Sequence, residues 1–152
     1  MKLRVLAVGR LRQGFAREGV GEYADRIQRL IPFEMVEVPS SSAGEKLAPA
    51  DECARLAKAA RRGARLVLFD ERGRQLSTAD MARSIDSWMN SSTDVDLVIG
   101  GAWGVTPAFR QAADEMWALS GLTMPHELAR VLALEAAYRA LTVIRGLPYH
   151  HG

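Results

Sequence analysis

The 152 residues, 48% of them hydrophobic and 25% charged, fit one globular domain that buries its own core, and we expect a single domain over residues 1–152. The formal net charge is only +2, but 15 basic and 10 acidic residues occur up to Arg74, against 5 and 8 after it. The first half could therefore meet a polyanion such as RNA, although a genome-wide arginine bias would give the same count.

The single cysteine, Cys53, excludes an internal disulfide and a cysteine cage for a metal, and its helical context predicts a half-buried structural thiol. No apolar run reaches the length of a membrane span, and the first residues lack the pattern of a secretory signal. We therefore expect a cytoplasmic protein without membrane or metal partners.

Apolar runs alternate with helical periods along the chain, which predicts an α/β fold with a mainly parallel sheet. Five short apolar runs are predicted to form strands, at 2–9, 33–39, 65–70, 95–100 and 117–120. Five stretches with helical periodicity are predicted to form helices, at 14–30, 50–61, 78–89, 107–116 and 125–145. Ser77 with Asp80 predicts a capping box before the third helix, and Thr106 before Pro107 predicts the start of the fourth.

The last predicted helix is apolar on more than one side. Four alanines form a stripe along it, and leucine, valine and isoleucine cover much of the remaining surface; the alanines are Ala129, Ala133, Ala136 and Ala140. Such a helix either runs through the core or is shared with a second chain. We expect a homodimer, with packing inside one chain as the alternative.

The segment 98–105, Val-Ile-Gly-Gly-Ala-Trp-Gly-Val, reads as a strand that enters a glycine turn before a helix. Ligands of parallel sheets bind at such strand ends, and glycines let them approach the main chain closely. The Gly-Gly-x-x-Gly spacing matches neither the dinucleotide fingerprint nor the phosphate loop, which disfavours a nucleotide-binding reductase. Main-chain groups and an apolar slot would suit the adenosine and methionine parts of S-adenosylmethionine.

Three other groups of residues remain open to two interpretations. The segment 119–124, Leu-Ser-Gly-Leu-Thr-Met, could line the same slot or simply connect a strand to a helix. Tyr149 and His150 could fold back over a site or belong to a plain terminus, and His150 with its neighbour His151 lacks a carboxylate to complete a metal site. Asp70 and Glu71 are predicted to be structural, neutralised by the arginines at 72 and 74.

Four segments together resemble the ribosomal RNA large subunit methyltransferase H family, over essentially the full length. They are the opening 1–9, the glycine turn 98–104, the run 119–126 followed by Arg130, and the ending Pro148-Tyr-His150. The resemblance implies an α/β-knot (SPOUT) fold with a carboxyl-terminal trefoil knot and a homodimer. It also implies transfer of a methyl group from S-adenosylmethionine to N3 of a pseudouridine in 23S ribosomal RNA, within the ribosome or its large subunit.

Carried over residue by residue, the resemblance also implies site residues. The implied cofactor contacts are Phe69, Gly100, Leu119, Ser120, Gly121, Leu122, Thr123 and Met124. From the mechanism we expect His126, Arg130, Tyr149 and His150 to be the polar groups at the reacting base. Arg130 would stabilise negative charge on the uracil oxygens, and the tail would close the pocket of its own chain or of the partner chain. Ala102-Trp103 stands where family members often have Pro-Glu, which puts any role for an acid there in doubt. The alternative is a non-enzymatic RNA-binding or ribosome-associated module whose glycine turns are structural.

Overall fold

The structure is a computed structural model that describes all residues 1–152. Its strands are β1 Leu3–Val8, β2 Phe33–Val38, β3 Arg65–Gln75, β4 Val95–Ile99 and β5 Glu115–Ala118. Its helices are α1 Gly14–Gln28, α2 Ala48–Ala59, α3 Thr78–Asn90, α4 Pro107–Ala112 and α5 His126–Ile144. The strands form one parallel sheet in the order β2-β1-β4-β3-β5, which confirms the predicted α/β class.

Helices cover both faces of the sheet. Because successive strand residues point to opposite faces, Val5 and Ala7 belong to one buried cluster and Leu6 and Val8 to another. The larger cluster joins the sheet to α1, α3 and α5, and the smaller one joins it to α2 and α4. This two-sided burial explains why the strands are apolar throughout rather than alternating.

Two predicted boundaries were wrong around the fifth strand. The fourth helix ends at Ala112 rather than at 116, and β5 begins at Glu115 rather than at 117. The backbone turns extended at Ala113, and the amide of Asp114 donates to the carbonyl of Leu66 at 2.9 Å. Pairing with β3 therefore overrides the helical periodicity of these residues.

The third strand is longer than predicted, since it continues beyond residue 70 to Gln75. Its pairing with β5 shifts register between Phe69 and Arg74, both of which pair with Trp117. The extra residues of this bulge carry the end of β3 towards the loops that follow β4 and β5.

Gly73 in this bulge is expected to tolerate no side chain. A Cβ there would lie 2.6 Å from the main-chain carbon and oxygen of Met116, so the backbone of β5 would have to move. We expect Gly73→Ala to lower the free energy of unfolding by about 2 kcal/mol, as overpacking does in a tight interior. Chemical unfolding of the native protein and of the variant would measure this loss of stability. Gly21→Ala in α1, where a Cβ meets nothing within 4 Å, should be neutral or stabilising, and equal losses in both variants would contradict this explanation.

Helix α5 packs against α1 and α3, and its Ala133 and Ala140 are fully buried. Its outer side still exposes apolar side chains, because Leu132 and Val143 are 38% and 39% exposed. The helix is therefore a core element with a second apolar face, while the homodimer and the trefoil knot stay predictions. No helix of the chain combines the length and the apolar character that crossing a bilayer requires.

Candidate cofactor and substrate site

A cavity of about 370 Å³ lies at the carboxyl ends of β4 and β5, beside the bulged part of β3. Parallel strands bring these ends to one edge of the sheet, which is where the sequence predicted a ligand. Of the predicted cofactor contacts, seven line this cavity: Phe69, Gly100, Leu119, Ser120, Leu122, Thr123 and Met124. Gly121 lies exposed in the same loop without lining it.

The glycine turn after β4 forms one wall. The amide of Gly104 donates to the carbonyl of Gly101 at 3.0 Å, and Gly104 has a φ of +75°, which favours glycine. Thr106 then caps α4 by accepting from the amide of Phe109 at 3.2 Å. The thiol of Cys53 is buried rather than half-buried as predicted. Its sulfur accepts from the amide of Thr106 at 3.4 Å and so supports the turn.

The loop after β5 forms the opposite wall. Its Ser120 hydroxyl accepts from the amide of Leu122 at 3.0 Å, which closes a tight turn. The Thr123 hydroxyl donates to the carboxylate of Glu71 at 2.8 Å. Glu71 thus ties the loop to the end of β3, a contact that joins residues 52 positions apart and that no local pattern reveals.

Charged side chains at the cavity form a network rather than isolated groups. Asp70 accepts from the guanidinium of Arg110 at 2.9 Å and from the amide of Arg72 at 2.9 Å. Burial raises the pKa of the Asp70 carboxyl, but these two donors outweigh it and hold the pKa below its usual value. The sequence predicted neutralisation by Arg72 and Arg74. Arg72 does pair with Asp70, whereas the second partner is Arg110 from α4 and not Arg74.

His126, at the start of α5, lines the cavity next to the glycine turn. Burial lowers the pKa of its imidazole, and the nearby charge of Arg130 lowers it further. The ring is therefore neutral at pH 7. Its Nδ1 is buried without a hydrogen-bond partner.

Arg130 does not line the cavity. Its side chain is fully buried, and it donates to the carboxylate of Glu37 at 2.9 Å and to the carbonyls of Val8 and Gly9 at 2.7 and 3.1 Å. These bonds hold the end of β1 against α5. The geometry therefore gives Arg130 a structural role in the protomer, and its contact with a base stays a prediction.

We expect Arg130→Leu to lower the free energy of unfolding by about 3 kcal/mol, because it leaves the buried carbonyl of Val8 and the carboxylate of Glu37 without their donor. Chemical denaturation at fixed protein concentration would measure this loss. Arg83→Leu is the matched control, since Arg83 is exposed and pairs only with Asp80 on the surface of α3. Its expected cost is below about 1 kcal/mol. A stable Arg130→Leu protein without activity would instead support the contact with a base.

The carboxyl-terminal tail packs on α5, away from the cavity of its own chain. The Tyr149 hydroxyl donates to the carboxylate of Glu135 at 3.1 Å, and Arg139 lies 4.6 Å from the Tyr149 ring and 3.5 Å from His150 Nδ1. Burial raises the pKa of the Tyr149 phenol, and contacts with Tyr23 and Glu135 add to the rise. Tyr149 and His150 thus lie together with Arg139, which the sequence did not single out and which forms an ion pair with Glu135.

The chain is similar to known proteins in sequence and in fold. A family model described as "Predicted SPOUT methyltransferase" matches residues 1–150. Two proteins named "Ribosomal RNA large subunit methyltransferase H", from Anaeromyxobacter dehalogenans strain 2CP-1 and Geobacter strain M21, are 43% and 40% identical to this chain, with 99% of each chain covered. The structure of a probable methyltransferase from Bordetella pertussis Tohama I has a TM-score of 0.60 at 16% identity, over 92% of this chain and 94% of that one. A probable methylase family protein from Haemophilus influenzae has a TM-score of 0.58 at 14% identity, over 99% of this chain and 70% of that one.

Proposed function

This chain belongs to the SPOUT methyltransferase family, and we propose that it transfers the methyl group of S-adenosylmethionine to N3 of a pseudouridine in 23S ribosomal RNA. The observation that carries the proposal is the cavity between the glycine turn and the loop 119–124. Relatives above 40% identity over the full length bear the name of a large-subunit ribosomal RNA methyltransferase, which supports the choice of RNA.

The cavity residues fit S-adenosylmethionine. Phe69 and Leu119 offer apolar surface, and the glycine turn and the loop 119–124 offer main-chain donors and acceptors for an adenosine. No lysine lines the cavity, so it does not resemble a phosphate cradle. Arg110 and Arg72 could meet the carboxylate of the methionine part.

Bound S-adenosylmethionine supplies a methyl group on a positively charged sulfur, which is already an activated electrophile. The chain must therefore hold the base nitrogen in line with that methyl group and ease the loss of the imide proton. His126 is neutral and lines the cavity, so its imidazole can form a hydrogen bond with the base without adding charge. As the new N–C bond forms, the S–C bond breaks and S-adenosylhomocysteine leaves, while the imide proton passes to water.

The tail is proposed to act on the cavity of the partner protomer, because Tyr149 and His150 lie outside their own. A protonated Tyr149 can donate to the base in place of Glu135. Arg139, whose Nε and Nη2 donate to Glu135, keeps Nη1 to stabilise negative charge that develops on the uracil oxygens. Arg139 is thereby proposed for the role that the sequence assigned to Arg130. The exposed apolar side of α5, with Leu132 and Val143, supports a homodimer that would bring tail and cavity together.

Methyl transfer from labelled S-adenosylmethionine tests the proposal. The enzyme is offered free 23S RNA, separate large subunits and intact ribosomes, and the digested RNA is analysed by mass spectrometry. We expect N3-methylpseudouridine in at least one substrate, and comparing the three tells which particle the enzyme uses. Calorimetry separates the alternative, since a binding module without enzymatic activity would release no heat with S-adenosylmethionine and label no RNA.

A further inference from the structure

A second cavity, of about 340 Å³, lies on the other side of the glycine turn. We call it the polar cavity; it runs between the end of β1, the segment at 40–41 and the start of α2. It shares Gly101, Ala102, Trp103 and His126 with the proposed cofactor cavity. A group held in the polar cavity would therefore be a direct neighbour of the cofactor.

The polar cavity contains a buried carboxylate that the methyltransferase chemistry described above does not use. Glu52 is only 3% exposed, and its Oε1 accepts from the amide of Ser41 at 3.1 Å. Its Oε2 is buried and has no hydrogen-bond partner. A Cβ on Gly101 would lie 2.2 Å from this oxygen, so Oε2 rests directly against the glycine turn. A buried carboxylate oxygen without a donor is costly, which points to a ligand that supplies one.

Two further features of the polar cavity indicate which groups that ligand carries. His126 brings a second buried atom without a partner, Nδ1, to the same cavity. Arg10 and Arg12 stand exposed at the cavity, and neither guanidinium forms an ion pair. The cavity thus offers an acceptor deep inside and an imidazole at the side shared with the cofactor. Its rim carries the two arginines and the carboxylate of Glu127, which accepts from the amides of Arg12 and Gln13. A nucleotide with a ring N–H and a phosphodiester carries the matching groups.

We propose that the polar cavity receives the target base and that Glu52 Oε2 accepts the N1–H of pseudouridine; this inference rests on the proposed function. N3 must face the methyl group during transfer, and C5 of pseudouridine carries the sugar. N1–H is therefore the ring donor that remains available to the carboxylate. Uridine carries its sugar on N1 and has no donor there, so Glu52 would be the residue that selects pseudouridine over uridine.

Glu52→Gln tests this assignment with little change in shape. The amide oxygen can keep the bond from Ser41, while the NH2 group takes the place of Oε2 and cannot accept a hydrogen bond. Binding is measured with enzyme loaded with S-adenosylhomocysteine, on ribosomal particles with pseudouridine at the target position and on particles from cells without the pseudouridine synthase. We expect the native protein to bind the pseudouridine particles roughly 10- to 100-fold more tightly, and Glu52→Gln to bind both alike.

Asp51→Asn is the matched control, because Asp51 is the exposed neighbour of Glu52 and contacts only the Ser41 hydroxyl. It should keep the native preference, and both variants should bind S-adenosylmethionine within about threefold of the native protein. A native protein without preference, or a Glu52→Gln protein that keeps it, would overturn the inference. A Glu52→Gln protein whose affinity falls by the same factor for both particles would also overturn it. Methyl transfer by the native protein is scored separately, so failure of the proposed function is distinguishable from failure of this inference.

Discussion

Gly100→Val is expected to weaken binding of S-adenosylmethionine by on the order of 100-fold or more. Even a single Cβ at Gly100 would lie 2.9 Å from Cγ1 of Val105, on the other arm of the glycine turn. The two additional methyl groups of valine would push the turn apart and occupy the space where the adenosine is proposed to lie. Calorimetric titration with S-adenosylmethionine would measure the loss.

The control for this variant is Gly21→Val, which makes the same chemical change on the exposed side of α1, where a Cβ meets nothing within 4 Å. It should bind the cofactor like the native protein. Unfolding curves of both variants would show that Gly100→Val is still folded under the conditions of the titration. Near-native affinity in a folded Gly100→Val protein would mean that the ligand does not approach the turn at this glycine.

Substitutions in the carboxyl-terminal tail are expected to have the second large effect, on the rate of methyl transfer. The double variant Tyr149→Phe with His150→Ala should lower the rate of methyl transfer by roughly 100- to 1,000-fold, as loss of groups that act on the reacting base commonly does. Its affinity for S-adenosylmethionine should stay within about threefold of the native value, because the tail is proposed to meet the base in the partner's cavity and not the cofactor. Rates on ribosomal particles and calorimetry on the same preparation separate the two quantities.

Mixed dimers show whether the tail acts across the interface. One protomer carries Gly100→Val and the other carries the tail variant, so the native cavity and the native tail are on different chains. If the tail serves the partner, one of the two sites is intact and the mixed dimer regains about half of the native activity. Inactive mixed dimers, or a protein that is monomeric at micromolar concentration, would contradict a shared site.

Most of the fold could be predicted because local patterns and tertiary structure agree. The strands β1, β2 and β4 lie between helices on both faces of the sheet, so their continuous apolar runs were informative, and their boundaries were predicted within one residue. The capping residues Ser77 and Thr106 begin α3 and α4 as expected. The glycine turn could be found because glycine permits backbone conformations that other residues rarely adopt, such as the positive φ of Gly104.

The remaining features depend on contacts between distant residues. Helical periodicity continues past Ala112, and only pairing with β3 makes the next residues a strand. Arg130 looks like a catalytic arginine in the sequence, but its bonds to Glu37 and to the end of β1 bury it. Glu52 looks like an ordinary helix residue until the fold places it against Gly101. No local pattern carries this information.

A crystal structure of the protein with S-adenosylmethionine tests the central claim most directly. We expect the adenosine between main-chain groups of Gly100 and of the loop 119–124, with the methyl group directed towards the side that His126 shares with the polar cavity. A cofactor bound elsewhere, or the two loops packed against each other with no space between them, would contradict the proposed site.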